Sequence, residues 1–358
     1  MTRGEIDDAE ARTDVCAVPE AIVDGWQTGS LNGAGLDPAP LVHLVRAIRE
    51  GDFLNIFAIL LVRGERLVLE EYFNGFTRDR LQEVHSISKS VTSLLIGIAI
   101  DRGIIPGIDT PVHGYFLDHA GTQWIDRRYG ITIKDLLTMS AGVDWDENSL
   151  PRSNLVNSDT AMQASEDWIG YVLDRKRLFM PGRRYNYSGG LTILLGELLR
   201  RASGLSVGAF AETHLFAPLG IARYHWKQTP RGTVNAQGGW MLAARDAARI
   251  GAMVLAEGRW HGRSVVSRDW IRRSTRAYFT TAPRRWEYGY HWHRYQLDTA
   301  NGGIETHTAL GQGGQFILVL PRWDLAAVFF SETEQNEERE HLPLALLRDF
   351  IAPAVTAS

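Results

Sequence analysis

At 358 residues the chain can form one large domain or two intimately joined ones, and its apolar (44%) and charged (22%) fractions are those of an ordinary globular protein. A net charge of −4 with no basic run gives nucleic acid or an anionic membrane surface nothing to hold. Cys16 is the only cysteine, which excludes an intramolecular disulfide and argues against a cysteine-based metal centre.

The opening MTRGEIDDAEARTDV is polar and acidic and lacks the apolar core of a signal peptide, so a cytoplasmic location is expected. PLVHLVRAIREG (40–51) has the spacing of a short amphipathic helix. FAILLVRGERLVLEEYF (57–73) is two β-rich runs about Gly64-Glu65, a hairpin signal in which the glycine supplies the positive φ of a tight turn. HSISKSVTSLLIGIAIDRG (85–103) predicts a buried helix ended at Arg102-Gly103, and its run LLIGIAI (94–100) is far too short to span a bilayer. From 104 to 275 the pattern is mostly helical, with helices predicted at 131–142, 160–175, 189–204 and 242–259. Strands return at 287–297, 313–321 and 325–333, with a turn at 322–324 between the last two. The run 332–340 reads as a solvated loop and helix start. EEREHLPLALLRDFIAP (337–353) predicts a closing helix that Pro343 either kinks or begins.

Strands, then helices, then strands again imply an α/β protein of the α+β type. A mixed antiparallel-sheet domain drawn from both chain ends (1–103 and 276–358) would carry an inserted, mainly helical domain (104–275), with the active site in the cleft between them.

The chemistry-bearing pattern is Ser86-Ile87-Ser88-Lys89. Residues three apart share a helix face, so the hydroxyl and the amine can meet. The positive end of a buried helix favours developing negative charge at Ser86, and burial disfavours the ammonium of Lys89. A neutral amine there can take the serine proton. The chain has only four lysines among its 38 basic residues, yet it places one here, where arginine could not give up a proton. A serine at a helix start is also an ordinary cap, so the tetrapeptide needs company. Tyr187, in a loop before the helix at 189–204, could aim its phenol into a cleft and relay protons, or simply pack. HTALGQGGQFILVLP (307–321) is a glycine-rich approach to a strand, where a ligand can come close to backbone N–H groups.

Other residues have plainer readings. His291 and His293 alternate as if on one strand face and lack a third zinc ligand. Asp144, Asp146 and Glu147 fit turn chemistry, with binding of a substrate amine as the alternative. Trp145, Trp240 and Trp292 could wall an acyl pocket, although most of the eleven tryptophans are expected in the core.

In order and spacing, three elements resemble the serine β-lactamase and penicillin-binding-protein superfamily. They are Ser86-Ile87-Ser88-Lys89, Tyr187-Ser188-Gly189 in the place of a Y-x-N element, and Gly311-Gln312-Gly313-Gly314 in the place of a K-T-G strand. The segments at 24–37, 131–147, 238–251 and 270–274 extend the resemblance over nearly the whole chain. It is nearest to the class C-like branch of esterases and 6-aminohexanoate-dimer hydrolases.

The resemblance implies that fold and an acyl-enzyme on Ser86. Lys89 coupled to Tyr187 would be the base system, the backbone N–H groups of Ser86 and Gln312 the oxyanion hole, and no metal or organic cofactor would be needed. Gly189 replaces the Y-x-N asparagine and no K-T-G lysine exists. His307-Thr308-Ala309 is at best a distant stand-in. These departures argue against efficient β-lactamase activity and favour hydrolysis of small esters or linear amides, with no nucleic-acid or membrane partner. Acyl transfer, weak β-lactamase or D-amino-acid peptidase action, and a non-catalytic peptide-binding relative are the alternatives. Oligomeric state is left open.

Overall fold

The computed structural model describes residues 15–119, 121–125, 130–281, 286–299, 302–332 and 341–356. After β1 (Gln27–Thr28), α1 (Pro38–Glu50) begins slightly ahead of its apolar pattern. The Asp37 side chain caps it by accepting from the Ala39 N–H at 2.9 Å, and Pro38, which has no N–H to leave unpaired, takes the first helical position. β2 (Ile56–Arg63) and β3 (Arg66–Tyr72) form the predicted hairpin, with Gly64 at φ 58° in the turn. β4 (Gln82–Glu83) leads into α2 (Ile87–Asp101), which ends at Arg102 with Gly103 left-handed (φ 70°).

The middle of the chain is more broken than its sequence pattern. The helix predicted over 131–142 is only α3 (Ile133–Leu137), opened by a Thr132–Asp135 capping box and terminated before a left-handed Met139 (φ 54°). The helix predicted over 160–175 is two, α4 (Ser158–Ala164) and α5 (Trp168–Leu173), each started by its own side-chain cap, Asn157 and Asp167. α6 (Gly189–Ser203) matches its pattern and stops at left-handed Gly204. The short helices α7 (Val207–Ala211) and α8 (Ala217–Leu219) follow, then β5 (Tyr224–Trp226) and β6 (Trp240–Leu242). Next come α9 (Ala244–Leu255), the ribbon β7 (Arg259–Trp260) with β8 (Arg263–Ser264), and α10 (Arg268–Ser274).

The last strands are β9 (Phe279–Thr281), β10 (Trp286–Tyr288), β11 (His293–Thr299), β12 (Gly302–Gly311), β13 (Gln315–Leu320) and β14 (Leu325–Ser331). The single strand predicted at 287–297 is therefore interrupted. Gly289 N–H donates to Trp292 O at 2.8 Å and His291 is left-handed (φ 61°), so the chain turns between β10 and β11. Helical turns from Leu342 to Ala354 close the described chain, with Pro343 in the first turn. The residues expected to start that helix at 337, and most of the loop expected at 332–340, lie outside the described residues.

The main sheet has nine strands in the order β1-β3-β2-β14-β13-β12-β11-β10-β9, antiparallel except for β1 beside β3. Its central strands are apolar on both faces because both are covered. On one face Ile59, Leu61, Phe316, Leu318, Ala327 and Phe329 pack with Leu41, Leu44 and Ile48 of α1 and with Leu347 and Ile351 of the closing helix. On the other, Leu60, Val62, Ile317 and Val328 share a core with α2, α6 and α9. α9 falls inside the span 104–275 expected to be a helical insert, yet it lies against β2, β13 and β14, so the sheet layer draws on that span too. No helix among the described residues is long and apolar enough to cross a membrane.

Candidate active site

A small sheet, β4-β6-β5, holds the segment that delivers Ser86, and the Val84 N–H donates to Trp240 O at 3.0 Å. His85 then takes a left-handed backbone (φ 47°), a strain on the order of 1–3 kcal/mol for a side-chain-bearing residue. Ser86 follows as the N-cap of α2 but makes no capping hydrogen bond, which leaves its oxygen for another partner. That partner is Lys89, whose Nζ donates to Ser86 Oγ at 2.8 Å. Every residue of α2 from Ile87 to Ala99 is buried, and Lys89 is only 2% exposed. A lysine this deep is tolerated only where its polar end is satisfied.

The satisfaction comes from a residue that short-range spacing did not mark. Nζ also donates to both oxygens of Gln237, the backbone O at 3.0 Å and Oε1 at 2.9 Å. Gln237 Nε2 donates in turn to Asp159 Oδ1 at 2.7 Å, and Asp159 accepts from Gln163 Nε2 at 2.9 Å and from Arg152 at 2.8 Å. Gly189, at the third position of the Y-x-N-like element, packs against this amide so closely that a Cβ there would collide with Gln237 Oε1.

Tyr187 is half-buried and presents its ring to Lys89, with Nζ 4.9 Å from the centroid. Its loop is pinned by the early end of α3: Gly182 N–H donates to Ser140 O at 2.9 Å and Asn186 N–H to Met139 O at 2.8 Å. Two residues after Tyr187, the Gly189 N–H donates at 2.6 Å to Oε2 of the buried Glu147, which also accepts from Trp145 Nε1 at 2.7 Å. Burial raises the Glu147 carboxyl above its ordinary range, opposed chiefly by the charge of Lys89. Asp146, by contrast, does ordinary turn work, accepting from the N–H groups of Asn148 and Ser149. The alternation Val143, Trp145, Glu147 inward and Asp144, Asp146 outward was the available signal for telling these carboxylates apart.

Several other candidates lie away from the chemistry. His291 and His293 do not line one strand face: His291 sits in the turn, bonded to Thr192 Oγ1 at 3.1 Å, and His293 opens β11. Burial holds both below the usual histidine range, His293 at about 3. Among the described residues no group of three or more His, Cys, Asp or Glu could hold a metal ion. His307, Thr308 and Ala309 are in mid-β12, with His307 bonded to Glu305 at 3.0 Å. Trp145, Trp240 and Trp292 are core residues.

Ser86 opens into a cleft of about 400 Å³. Gly311, ending β12, lies so near the Val84 carbonyl that a Cβ would overlap it, and this approach brings Gln312 and Gly313 to the cleft wall. Neither the Ser86 nor the Gln312 N–H donates to another described residue. Gln237 is in the lining, together with the charged or titratable Arg152, Glu83, His85 and Glu332. Burial lowers the pKa of His85.

Comparison with known proteins gives a consistent picture. A family model described as Beta-lactamase matches residues 44–349. The chain is 29% identical over 224 residues to 6-aminohexanoate-dimer hydrolase of Paenarthrobacter ureafaciens, a match covering 60% of this chain and 55% of that protein, little more than half its length. Among solved structures, EstCE1, a hydrolase with promiscuous acyltransferase activity, superposes with a TM-score of 0.69 at 15% identity, covering 91% of this chain and 97% of that one. A family VIII carboxylesterase superposes with a TM-score of 0.64 at 15% identity, covering 90% and 96%.

Proposed function

The chain belongs to the beta-lactamase family, and we propose that it is a serine hydrolase that cleaves small carboxylic esters or linear amides through an acyl-enzyme on Ser86. The observation that carries this reading is the 2.8 Å contact between Lys89 Nζ and the Oγ of Ser86, which makes no capping bond and lines a cleft.

In the proposed cycle Ser86 Oγ attacks the acyl carbon and its proton passes to Lys89 Nζ. The carbonyl oxygen becomes an oxyanion held by the N–H groups of Ser86 and Gln312, each worth roughly 3 kcal/mol to the transition state. The bond to the leaving alkoxide or amine breaks as that group takes a proton from the Lys89–Tyr187 pair. Water then adds to the ester carbon of the acyl-enzyme, giving one proton to the same pair. The acid departs and Ser86 regains its hydrogen.

The choice of substrate rests on what surrounds the nucleophile. Among the described cleft residues Arg152 is the one permanently charged cation, and it is paired with Asp159, so none of them is a free lysine for a β-lactam carboxylate. Position 189 has no side chain to bind an acylamino group. The names of the relatives, an amide hydrolase and a carboxylesterase, agree with that choice. Acyl transfer to an alcohol or amine is the second reading, favoured by the likeness to EstCE1.

A fluorophosphonate probe should add its mass to the wild-type chain and not to Ser86→Ala. p-Nitrophenyl esters should be hydrolysed faster than a chromogenic cephalosporin. Labelling that persists in Ser86→Ala would remove the assignment, and rapid cephalosporin turnover would reverse the substrate ranking. Alcohol or amine acceptors added during ester turnover separate transfer from hydrolysis.

A further inference from the structure

We propose that Gln237 is the positioning residue that turns Lys89 into a base directed at Ser86, supplying from another part of the chain the amide that position 189 lacks. This rests on the reading of Ser86 and Lys89 as nucleophile and base.

Hydrogen counting carries the inference. Among the described residues the three polar partners of Nζ are Ser86 Oγ and the two oxygens of Gln237. A neutral amine has two hydrogens and one lone pair. Neither Gln237 oxygen can donate, so between them they take both hydrogens. The lone pair is left to the Ser86 hydroxyl, the orientation in which a serine proton can be removed. Once Nζ holds that proton, all three contacts become donations from an ammonium, and nothing has to move.

The amide cannot flip. Asp159, as the ion-pair partner of Arg152, only accepts, so the NH₂ of Gln237 must face it and Oε1 must face Lys89. The backbone oxygen is equally fixed. Thr92 of α2 donates to Ala236 O at 2.9 Å and the Trp240 N–H donates to Ser88 Oγ at 3.3 Å, so the helix that carries the nucleophile also clamps the residues on either side of Gln237. Glycine at 189 completes the fit, because any side chain there would strike Oε1.

The other titratable groups that feel the charge of Lys89 are Glu147, His85 and, at longer range, His291 and His293, and the ring of Tyr187 lies against its Nζ. They stay unchanged in the variants below, so a moved pH profile is read from the amide itself.

Gln237→Met keeps the length of the side chain and the backbone oxygen but removes the Oε1 acceptor. Its kcat for p-nitrophenyl ester turnover should fall about 10- to 100-fold with KM little altered. The rising limb of its pH–rate profile should move to lower pH, because an acceptor that favours the ammonium is gone. Gly189→Asn alone should be nearly inactive. Gly189→Asn combined with Gln237→Ala, which vacates the space and returns an amide from the other side, should exceed the product of the two single effects by at least about 10-fold. Wild-type kcat and an unmoved limb in Gln237→Met would overturn the assignment. So would a double variant that shows only the product of the singles, and this second comparison stands even where Gln237→Met folds poorly. If Ser86→Ala abolishes probe labelling while the Gln237 variants behave as wild type, this inference alone fails. Labelling that survives in Ser86→Ala fails the reading beneath it.

Discussion

Tyr187 meets Lys89 through its ring face, and its hydroxyl has no hydrogen-bond partner among the described residues. That geometry separates two contributions a single aromatic residue can make. Phenylalanine at this position would preserve the ring 4.9 Å from Nζ and lose only the proton. Proton relay by a positioned side chain is typically worth 10²- to 10⁴-fold, whereas a shielded cation–π contact is worth about 1–2 kcal/mol and survives the change. Tyr187→Phe should therefore lower kcat about 100-fold while its melting temperature stays within about 2 °C of wild type. Retention of most activity would assign Tyr187 to packing against the lysine. The serine–lysine pair was legible because the two lie one turn apart on one helix. Gln237 was not, because it stands 148 residues from Lys89 and no local spacing points across that distance.

At the scale of the element, α2 shows why a pattern can predict burial and still miss its cause. An apolar stretch with a lysine in its first turn reads as a buried helix, and so it is. Gly97 in its middle looks like a defect, since glycine costs a helix interior about 1 kcal/mol relative to alanine. The structure supplies the reason: a Cβ at 97 would enter the ring of Trp270, a fully buried residue of α10. Gly97→Ala should thus lose about 1–3 kcal/mol by overpacking where propensity alone predicts a gain. Urea unfolding should recover part of that loss in Gly97→Ala/Trp270→Leu, and a stabilised single variant would show that the two elements do not press on each other. The early end of α3 teaches the same lesson. Its sequence is helical to residue 142, but tertiary hydrogen bonds from the Tyr187 loop claim the carbonyls of Met139 and Ser140.

Across the whole molecule, the fold class was legible from the order of strands and helices, and the hairpin and the later strands followed from composition. Membership of α9 in the sheet layer was not, since its apolar stripe does not say which neighbour it faces. What ties that helix down is a buried charge cluster. Arg245 bonds Asp24 at 2.8 Å and also Glu70 on β3, and Arg249 bonds Asp24 O at 2.6 Å and Asp246. Burial outweighs the attraction of Arg249 and raises Asp246 from 3.8 to about 6. A raised acid binds its proton more tightly in the folded state, so its contribution is fully present below the ordinary aspartate range and is lost as pH rises to about 6. The loss is on the order of 2–3 kcal/mol, and Asp246→Asn should flatten that segment of the stability–pH curve measured by urea titration. An unchanged slope would mean the carboxylate is ionised throughout.

The position of β14 has a consequence for synthesis. Among the described residues the last strand to be made is the one between β2 and β13, so the early hairpin and the later run of strands share no border until residues 325–331 leave the ribosome. Until then each ribbon carries an open edge, the kind of surface that pairs with other chains. A nascent chain stopped short of Leu325 should therefore be prone to self-association, and the proposed hydrolytic activity should appear late in translation and all at once.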